Sequence, residues 1–167
     1  TTLTLNFPAT AQAGDLLVLQ VRVPYGVTLP SGWTIQSSID ISSIHYALAT
    51  KIMESGESSV TIIANSSGNI IGVVSAYRNV GGIAGVTGRF DSGTAFYNPL
   101  DSSGITVSQT DTLALIIATI NNSSLTVTPP NGFTTLSNTV TTGIRFHTSG
   151  KQMGSETSLT LAQTMTT

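Results

Sequence analysis

An internal repeat at a spacing of one hundred residues is the feature that most restricts how this chain can fold. Seven residues recur at that spacing in the same order. The identical pairs are Pro30 and Pro130, Gly32 and Gly132, Thr34 and Thr134, Ser37 and Ser137, Ile44 and Ile144, Lys51 and Lys151, and Met53 and Met153. Aromatic side chains are kept where Trp33 corresponds to Phe133 and Tyr46 to Phe146. Such a repeat predicts two copies of one supersecondary unit, neither of which buries its hydrophobic face alone.

The spacing of the repeat changes at two turns. After Met53 the spacing is ninety-nine, so that 57–62 corresponds to 156–161. Before Pro30 it is ninety-six, so that 15–19 corresponds to 111–115. Insertions of this kind are tolerated in turns. The alternative explanation is that two Thr- and Ser-rich β segments resemble each other by composition alone.

Apolar residues alternate with polar or small ones along most of the chain, a period of two that is typical of strands. The clearest alternating sets are Leu17, Leu19, Val21 and Val23 with Gln20 and Arg22 opposite, Ile44, Tyr46 and Leu48 with His45, Ala47 and Ala49 opposite, and Leu113, Leu115 and Ile117. No stretch has the capped period of 3.6 that indicates a helix. The sequence therefore predicts an all-β protein.

The repeat and the alternation together predict one domain over 1–167, a two-sheet antiparallel β-sandwich of jelly-roll type. Half one covers 1–80, a long connection covers 81–104, and half two covers 105–167. We expect each half to supply four or five strands, and the halves to pack face to face or interleave.

The turn Pro30-Ser31-Gly32 precedes Trp33, and Pro130-Asn131-Gly132 precedes Phe133. Proline fixes φ and glycine permits a positive φ, so both turns are predicted to be tight. The aromatic side chain that follows is predicted to fill the end of the sandwich. The alternative for Trp33 is that it stacks on a sugar.

Charged residues make up only 8% of the chain, against about 25% in a typical soluble domain. The six basic residues are spread along the chain, which argues against a nucleic-acid partner. No apolar run approaches the ~20 residues of a spanning helix, so no membrane insertion is expected. The chain shows no signal peptide and does not begin with Met, which predicts a processed product or a part of a longer protein.

Several segments resemble a module found in bacteriophage tail and virion proteins and in some bacterial surface proteins. The segments that carry the resemblance are Ala13-Gly14-Asp15-Leu16-Leu17-Val18, Pro30-Ser31-Gly32-Trp33-Thr34, Lys51 with Gly56-Glu57, and Ala76-Tyr77-Arg78-Asn79-Val80. The resemblance covers much of half one and implies a β-sandwich or jelly roll exposed on a virion or outside the cell. It brings no catalytic residues, and the connection has no counterpart in it.

The sequence lacks the patterns of common enzymes, and we predict a protein that is not an enzyme and has no cofactor. Gly-x-Ser-x-Gly, His-Glu-x-x-His and phosphate-loop motifs are all missing. His45 and His147 are expected to be solvated on the strand face opposite the apolar one, with a metal pair as the alternative. Glu57 and Glu156 are expected to pair with Lys51 and with Lys151, respectively, rather than to form a glycosidase pair.

The connection carries the best candidates for ligand binding. These are Arg89, Asp91, Phe96, Tyr97 and Asn98, beside Phe90. Aromatic side chains with Arg and Asn are typical of contact surfaces for glycans or proteins. The alternative is that the aromatic residues fold the loop onto the sandwich. Asp91 and Asp101 are expected to form turns, with a calcium site as the alternative.

These observations predict a structural or adhesive protein of a virion, in a tail fibre or on a capsid, which binds a host-surface glycan or neighbouring subunits. We expect it to be a homo-oligomer or part of a larger virion assembly, at the virion surface or outside the cell. One alternative is a glycan-binding module of a secreted protein. Another is a filament subunit whose strand Thr2 to Phe7 completes the sheet of a neighbour.

Overall fold

The computed structural model describes residues 1–80, 100–106, 113–153 and 158–166. Within these ranges the chain forms antiparallel strands and turns, and no helix. The strands are β1 (Thr2–Asn6), β2 (Leu16–Pro24), β3 (Val27–Thr28), β4 (Thr34–Ile41), β5 (Ile44–Ile52), β6 (Ser59–Ala64), β7 (Ile71–Tyr77), β8 (Leu100–Thr106), β9 (Leu113–Ile120), β10 (Thr126–Thr128), β11 (Thr134–Thr141), β12 (Ile144–Gln152) and β13 (Ser158–Thr166). The all-β, antiparallel prediction is confirmed.

The chain divides into two compact units, Thr1–Ile83 and Ala84–Thr167. The first unit holds a three-stranded sheet, β1-β6-β3, and a four-stranded sheet, β4-β5-β2-β7. The second holds two three-stranded sheets, β10-β13-β8 and β11-β12-β9. The two units therefore share one plan, in which each of β1–β6 has a counterpart among β8–β13.

The two sheets of the first unit share one hydrophobic core. Leu17, Leu19, Val21 and Val23 of β2 meet Val60, Ile62 and Ala64 of β6, with Ala47 and Ala49 of β5 beside them. This unit has seven strands within its described residues, whereas the sequence predicted four or five. The paired sheets of a sandwich are therefore found inside one half. The short strands β1 and β3 flank β6 and make the second sheet.

Strand pairing shows the repeat residue by residue. Thr34 pairs with Thr50 and Ile41 with Ile44, and one hundred residues later Thr134 pairs with Gly150 and Thr141 with Ile144. A bulge interrupts both pairs of strands at the same place, after residue 35 and after residue 135. Both hairpins close with two-residue loops that contain positive φ values, at Ser42 and at Thr142-Gly143. The repeat prediction is confirmed at this level.

The predicted spacing before Pro30 is corrected by the pairing. Leu16 pairs with Ile52 and Leu113 with Gln152, so the first and second halves correspond there at a spacing of ninety-seven rather than ninety-six. Leu17 therefore corresponds to Ala114, not to Leu113. A change of one residue exchanges the two faces of a strand.

The predicted turns before the aromatic residues are present in both units. The Trp33 N–H donates to the Pro30 carbonyl at 3.5 Å, and the Phe133 N–H donates to the Pro130 carbonyl at 3.0 Å. Gly32 has φ +86° and Gly132 has φ +82°, values that favour glycine. Phe133 is buried, whereas Trp33 is half-buried and packs beside Phe7 with ring centroids 6.4 Å apart.

The faces of β5 and β12 differ from the prediction. Ala47 and Ala49 point into the core of the first unit, while Ile44, Tyr46 and Leu48 lie on the other face and are half-buried. The reason is that β5 pairs with β2 so that Ala49 lies opposite Leu19 and Ala47 opposite Val21. The large side chains of β2 fill the interior, and small ones suffice beside them.

Candidate interaction surface

The loop predicted to bind ligands lies outside the described residues. This applies to Arg89, Asp91, Phe96, Tyr97 and Asn98 alike. The Asp101 side chain and Glu156 are also outside the described part. The backbone of Asp101 is described, and the turn predicted there was wrong, because Asp101 lies in β8 and pairs with Ala162. The predicted binding, calcium-site and ion-pair roles of these residues stay predictions.

Lys51 joins two turns of the first unit. Its side chain is 7% exposed, and its Nζ donates to the Glu57 carboxylate. Glu57 also accepts the Glu54 N–H at 2.8 Å. The hydrogen bond with Glu57 raises the pKa of Lys51, and the hydrogen bond from Lys51, followed by that from Glu54, lowers the pKa of Glu57. The predicted pairing of Glu57 with Lys51 is confirmed, and its role is structural.

Gly32 leaves space for the Lys51 side chain because it has no side chain of its own. A Cβ atom at Gly32 would lie 3.1 Å from both Cε and Nζ of Lys51. The turn before Trp33 therefore rests on the lysine that also holds the turn around Glu57. This arrangement explains why the two positions belong to the same repeat.

A second ion pair, Asp15 with Arg78, was not predicted. Arg78 donates to both carboxylate oxygens of the buried Asp15, at 3.2 and 3.3 Å, and to the Thr10 carbonyl at 2.8 Å. The Gln12 N–H also donates to Asp15. The hydrogen bonds from Arg78 and then Gln12 lower the pKa of Asp15. Both residues lie in segments that carry the family resemblance, which was the available signal.

The prediction that His147 is solvated was wrong. Its side chain is fully buried, and neither ring nitrogen has a hydrogen-bond partner in the described part of the chain. It occupies the position that Ala47 holds in the core of the first unit, and it pairs with Ala118 where Ala47 pairs with Val21. Burial, and secondarily the charge of Arg145, lowers the pKa of His147.

His45 is mostly buried rather than solvated, with 12% of its side chain exposed. Its Nδ1 lies 2.7 Å from a carboxylate oxygen of Asp40 across the hairpin. Among the described residues no three His, Cys, Asp or Glu side chains are grouped to hold a metal ion. In the same part of the chain no helix is long and apolar enough to cross a membrane.

Exposed apolar side chains concentrate on two equivalent strands. Seven large apolar side chains are exposed among the described residues, namely Tyr25, Ile35, Ile39, Ile52, Ile63, Leu136 and Val140. Four of the seven lie on β4 and β11, which are edge strands of their sheets. We define the two edges as β4 and β11, and each of them is a candidate interaction surface of its own unit.

Each edge is long and nearly uncharged. Both strands have eight residues, and neither contains Pro, Gly, Lys or Arg. Asp40 is the only charged residue on them, and it already contacts His45. Six of the eight residues of each strand are exposed. Strands of this composition offer unpaired N–H and C=O groups without the charges that usually protect an edge.

The bulge residue of each edge folds back over its own sheet. In the first unit the Gln36 side chain donates to the Thr50 hydroxyl at 2.8 Å. In the second unit Leu136 covers Gly150, because a Cβ at Gly150 would lie 2.6 Å from Leu136 Cδ1. Two chemically different pairs thus hold the same bulge.

Comparisons with models of protein families, with curated proteins and with solved structures found no match for this chain.

Proposed function

We propose that this chain is a non-enzymatic structural or adhesive module at the surface of a virion or in another extracellular assembly, and that it works packed against neighbouring subunits. The observation that carries the proposal is the exposed surface of each edge, which is made of uncharged polar and apolar side chains apart from Asp40 of β4. Few ions have to be desolvated when such a surface is covered.

Two further observations support this function. The chain as a whole has little charge to keep copies apart in solution. The segments that resemble phage virion and bacterial surface proteins also contain residues that stabilise the turns of the fold, namely Asp15, Arg78 and Lys51. Ion pairs in these segments are consistent with a rigid module. The proposed location at the surface of a virion is supported by the resemblance alone.

The test is the association state of the full chain. Sedimentation velocity and light scattering at increasing concentration should show a defined oligomer or a growing polymer. A monomer at all concentrations, whose melting temperature rises with an added glycan, would instead favour the glycan-binding module. A monomer that binds no glycan would contradict both.

The predicted loop gives a second test that does not depend on the edges. The double variant Arg89→Ala and Tyr97→Ala should weaken attachment to the host surface or to a neighbouring subunit, while the melting temperature stays nearly unchanged. Unchanged attachment would remove the loop from the proposed function and leave the rest of it standing.

A further inference from the structure

We propose that the two edges bind a second copy of this chain by antiparallel strand pairing, so that β4 and β11 each continue into the sheet of a neighbour. This inference rests on the proposed function and names the partner and the kind of contact. It is supported by the position of charges, by the direction of the free backbone groups and by the equivalence of the two edges.

The basic residues lie where they do not protect the edges. Proteins commonly place Lys on edge strands to prevent pairing with other chains. Here Arg22, Lys51, Arg145 and Lys151 all lie on β2, β5 and β12, which are the central strands of their sheets. These four basic side chains thus lie on central strands. The edge strands β4 and β11 have no basic residue that would oppose pairing with another chain.

The backbone of each edge has groups that point outward. The residues on either side of a two-residue hairpin loop form a hydrogen-bonded pair, and successive residues alternate from there. Ile41 and Ile44 form that pair in the first hairpin, so the N–H groups of Ser38 and Asp40 point away from β5. By the same rule the N–H group of Val140 points away from β12.

Charge favours a second copy as the occupant. The second edge carries no charged residue, so two such strands meet without repulsion. When β4 pairs with itself antiparallel with Ser38 opposite Ser38, the outward N–H groups face each other and the two Asp40 residues lie at opposite ends. They are then roughly 13 Å apart along the strands, at about 3.3 Å per residue over four residues. Antiparallel pairing of one strand with itself is also the arrangement of a two-fold dimer.

The presence of two equivalent edges in one chain predicts growth beyond a dimer. The edges have the same length, the same bulge position and the same hairpin. Each unit therefore offers one edge of this kind. A copy that uses both edges binds two neighbours, as a fibre or a shell requires.

The test compares lysine substitutions at exposed positions. Ile39→Lys with Val140→Lys places a charge on each edge, where the native side chains are 38% and 46% exposed. Ile63→Lys is the matched control, because Ile63 is 46% exposed but lies on β6, the central strand of its sheet. We expect the edge variant to lower the association constant at least roughly tenfold, because Lys on an edge strand opposes pairing and the pairing would bring the introduced like charges close together. The control should associate like the parent.

Proline substitutions provide a second, independent variant. Ser38→Pro with Val140→Pro removes outward N–H groups and leaves the hydrogen bonds within each sheet in place. These variants should lose association and keep their circular dichroism spectrum. In the parent, hydrogen exchange of the Ser38, Asp40 and Val140 amides should slow as the concentration rises.

The outcomes separate this inference from the proposed function. If the parent assembles but the control loses association as much as the edge variant, the assembly uses apolar surface in general, and edge pairing is wrong. Assembly that persists in both the lysine and the proline variants has the same meaning. A parent that is monomeric at every concentration overturns the inference and the proposed function together.

Discussion

The bulges of the two edges are held by different residue pairs, Gln36 with Thr50 and Leu136 with Gly150, and we expect these pairs to be exchangeable only together. Gly150→Thr gives the second unit the residue that the first has at position 50. The new Cβ would lie 2.6 Å from Leu136 Cδ1 and 3.3 Å from Leu115 Cδ2. Overpacking of this kind typically costs about 1–3 kcal/mol. Thr is the better strand residue, which offsets up to about 1 kcal/mol, so we expect a net loss of about 1 kcal/mol.

Adding Leu136→Gln should restore stability. The pair then matches Gln36 and Thr50, whose side chains are 2.8 Å apart in the first unit. A hydrogen bond of this type contributes about 1 kcal/mol. Leu136→Gln alone should be unfavourable by about 1 kcal/mol, since the leucine, although 49% exposed, loses its packing over Gly150. The double variant should therefore be more stable than the sum of the single variants by about 1–2 kcal/mol.

Hydrogen exchange of the β12 amides measures this coupling within the second unit. Fluorescence is unsuitable, because the single Trp of the chain is Trp33 in the first unit. The reciprocal pair, Gln36→Leu with Thr50→Gly, is the matched control and should show a coupling of the same sign. Effects that add to within about 0.5 kcal/mol in both units would refute the reasoning.

Three further predictions concern the interior of the units. Phe133→Ala should lower the unfolding free energy by about 3–5 kcal/mol in denaturant titrations, and Trp33→Ala by less, because Trp33 is only half-buried. Because the pKa of His147 is lowered in the folded state, the unfolded chain binds the proton at a higher pH than the folded chain. The unfolding free energy should therefore decrease as the pH drops below 6.5, and His147→Ala should remove this part of its pH dependence. The ionised Asp15 stabilises the fold above pH 3.8, and this stabilisation is lost as the pH falls through the lowered pKa of the folded state. Arg78→Ala should therefore move the midpoint of acid unfolding to higher pH in a circular dichroism titration.

The sequence allowed the strands and the repeat to be predicted because both depend on local patterns. Proline, glycine and an aromatic residue specify the same turn at Trp33 and at Phe133. The pairing of Lys51 with Glu57 followed from their positions in the repeat. These features need no knowledge of how one sheet meets another.

The inner face of each strand could not be predicted in the same way. Both faces of β12 are buried, since Phe146 and His147 are each at most 1% exposed. Alternation shows that a strand has two faces, but only packing against another sheet decides which one is interior. In the first unit Leu19 and Val21 of β2 lie opposite Ala49 and Ala47, so the alanine face of β5 is the interior one. The burial of His147 was missed for the same reason.

The two units differ in their interiors, and this difference bears on assembly. Where the first unit packs Ala47 against Val21, the second packs His147 against Ala118, so the pair exchanges its large and small members. The exchange keeps the space filled but buries an imidazole without a partner among the described residues. An unsatisfied polar group of this kind is unfavourable by about 1–3 kcal/mol. On its other side His147 pairs with Asn138 of the edge strand β11. A partner bound to β11 stabilises the folded state by mass action, so the contact proposed at this edge offsets part of the cost of burying His147.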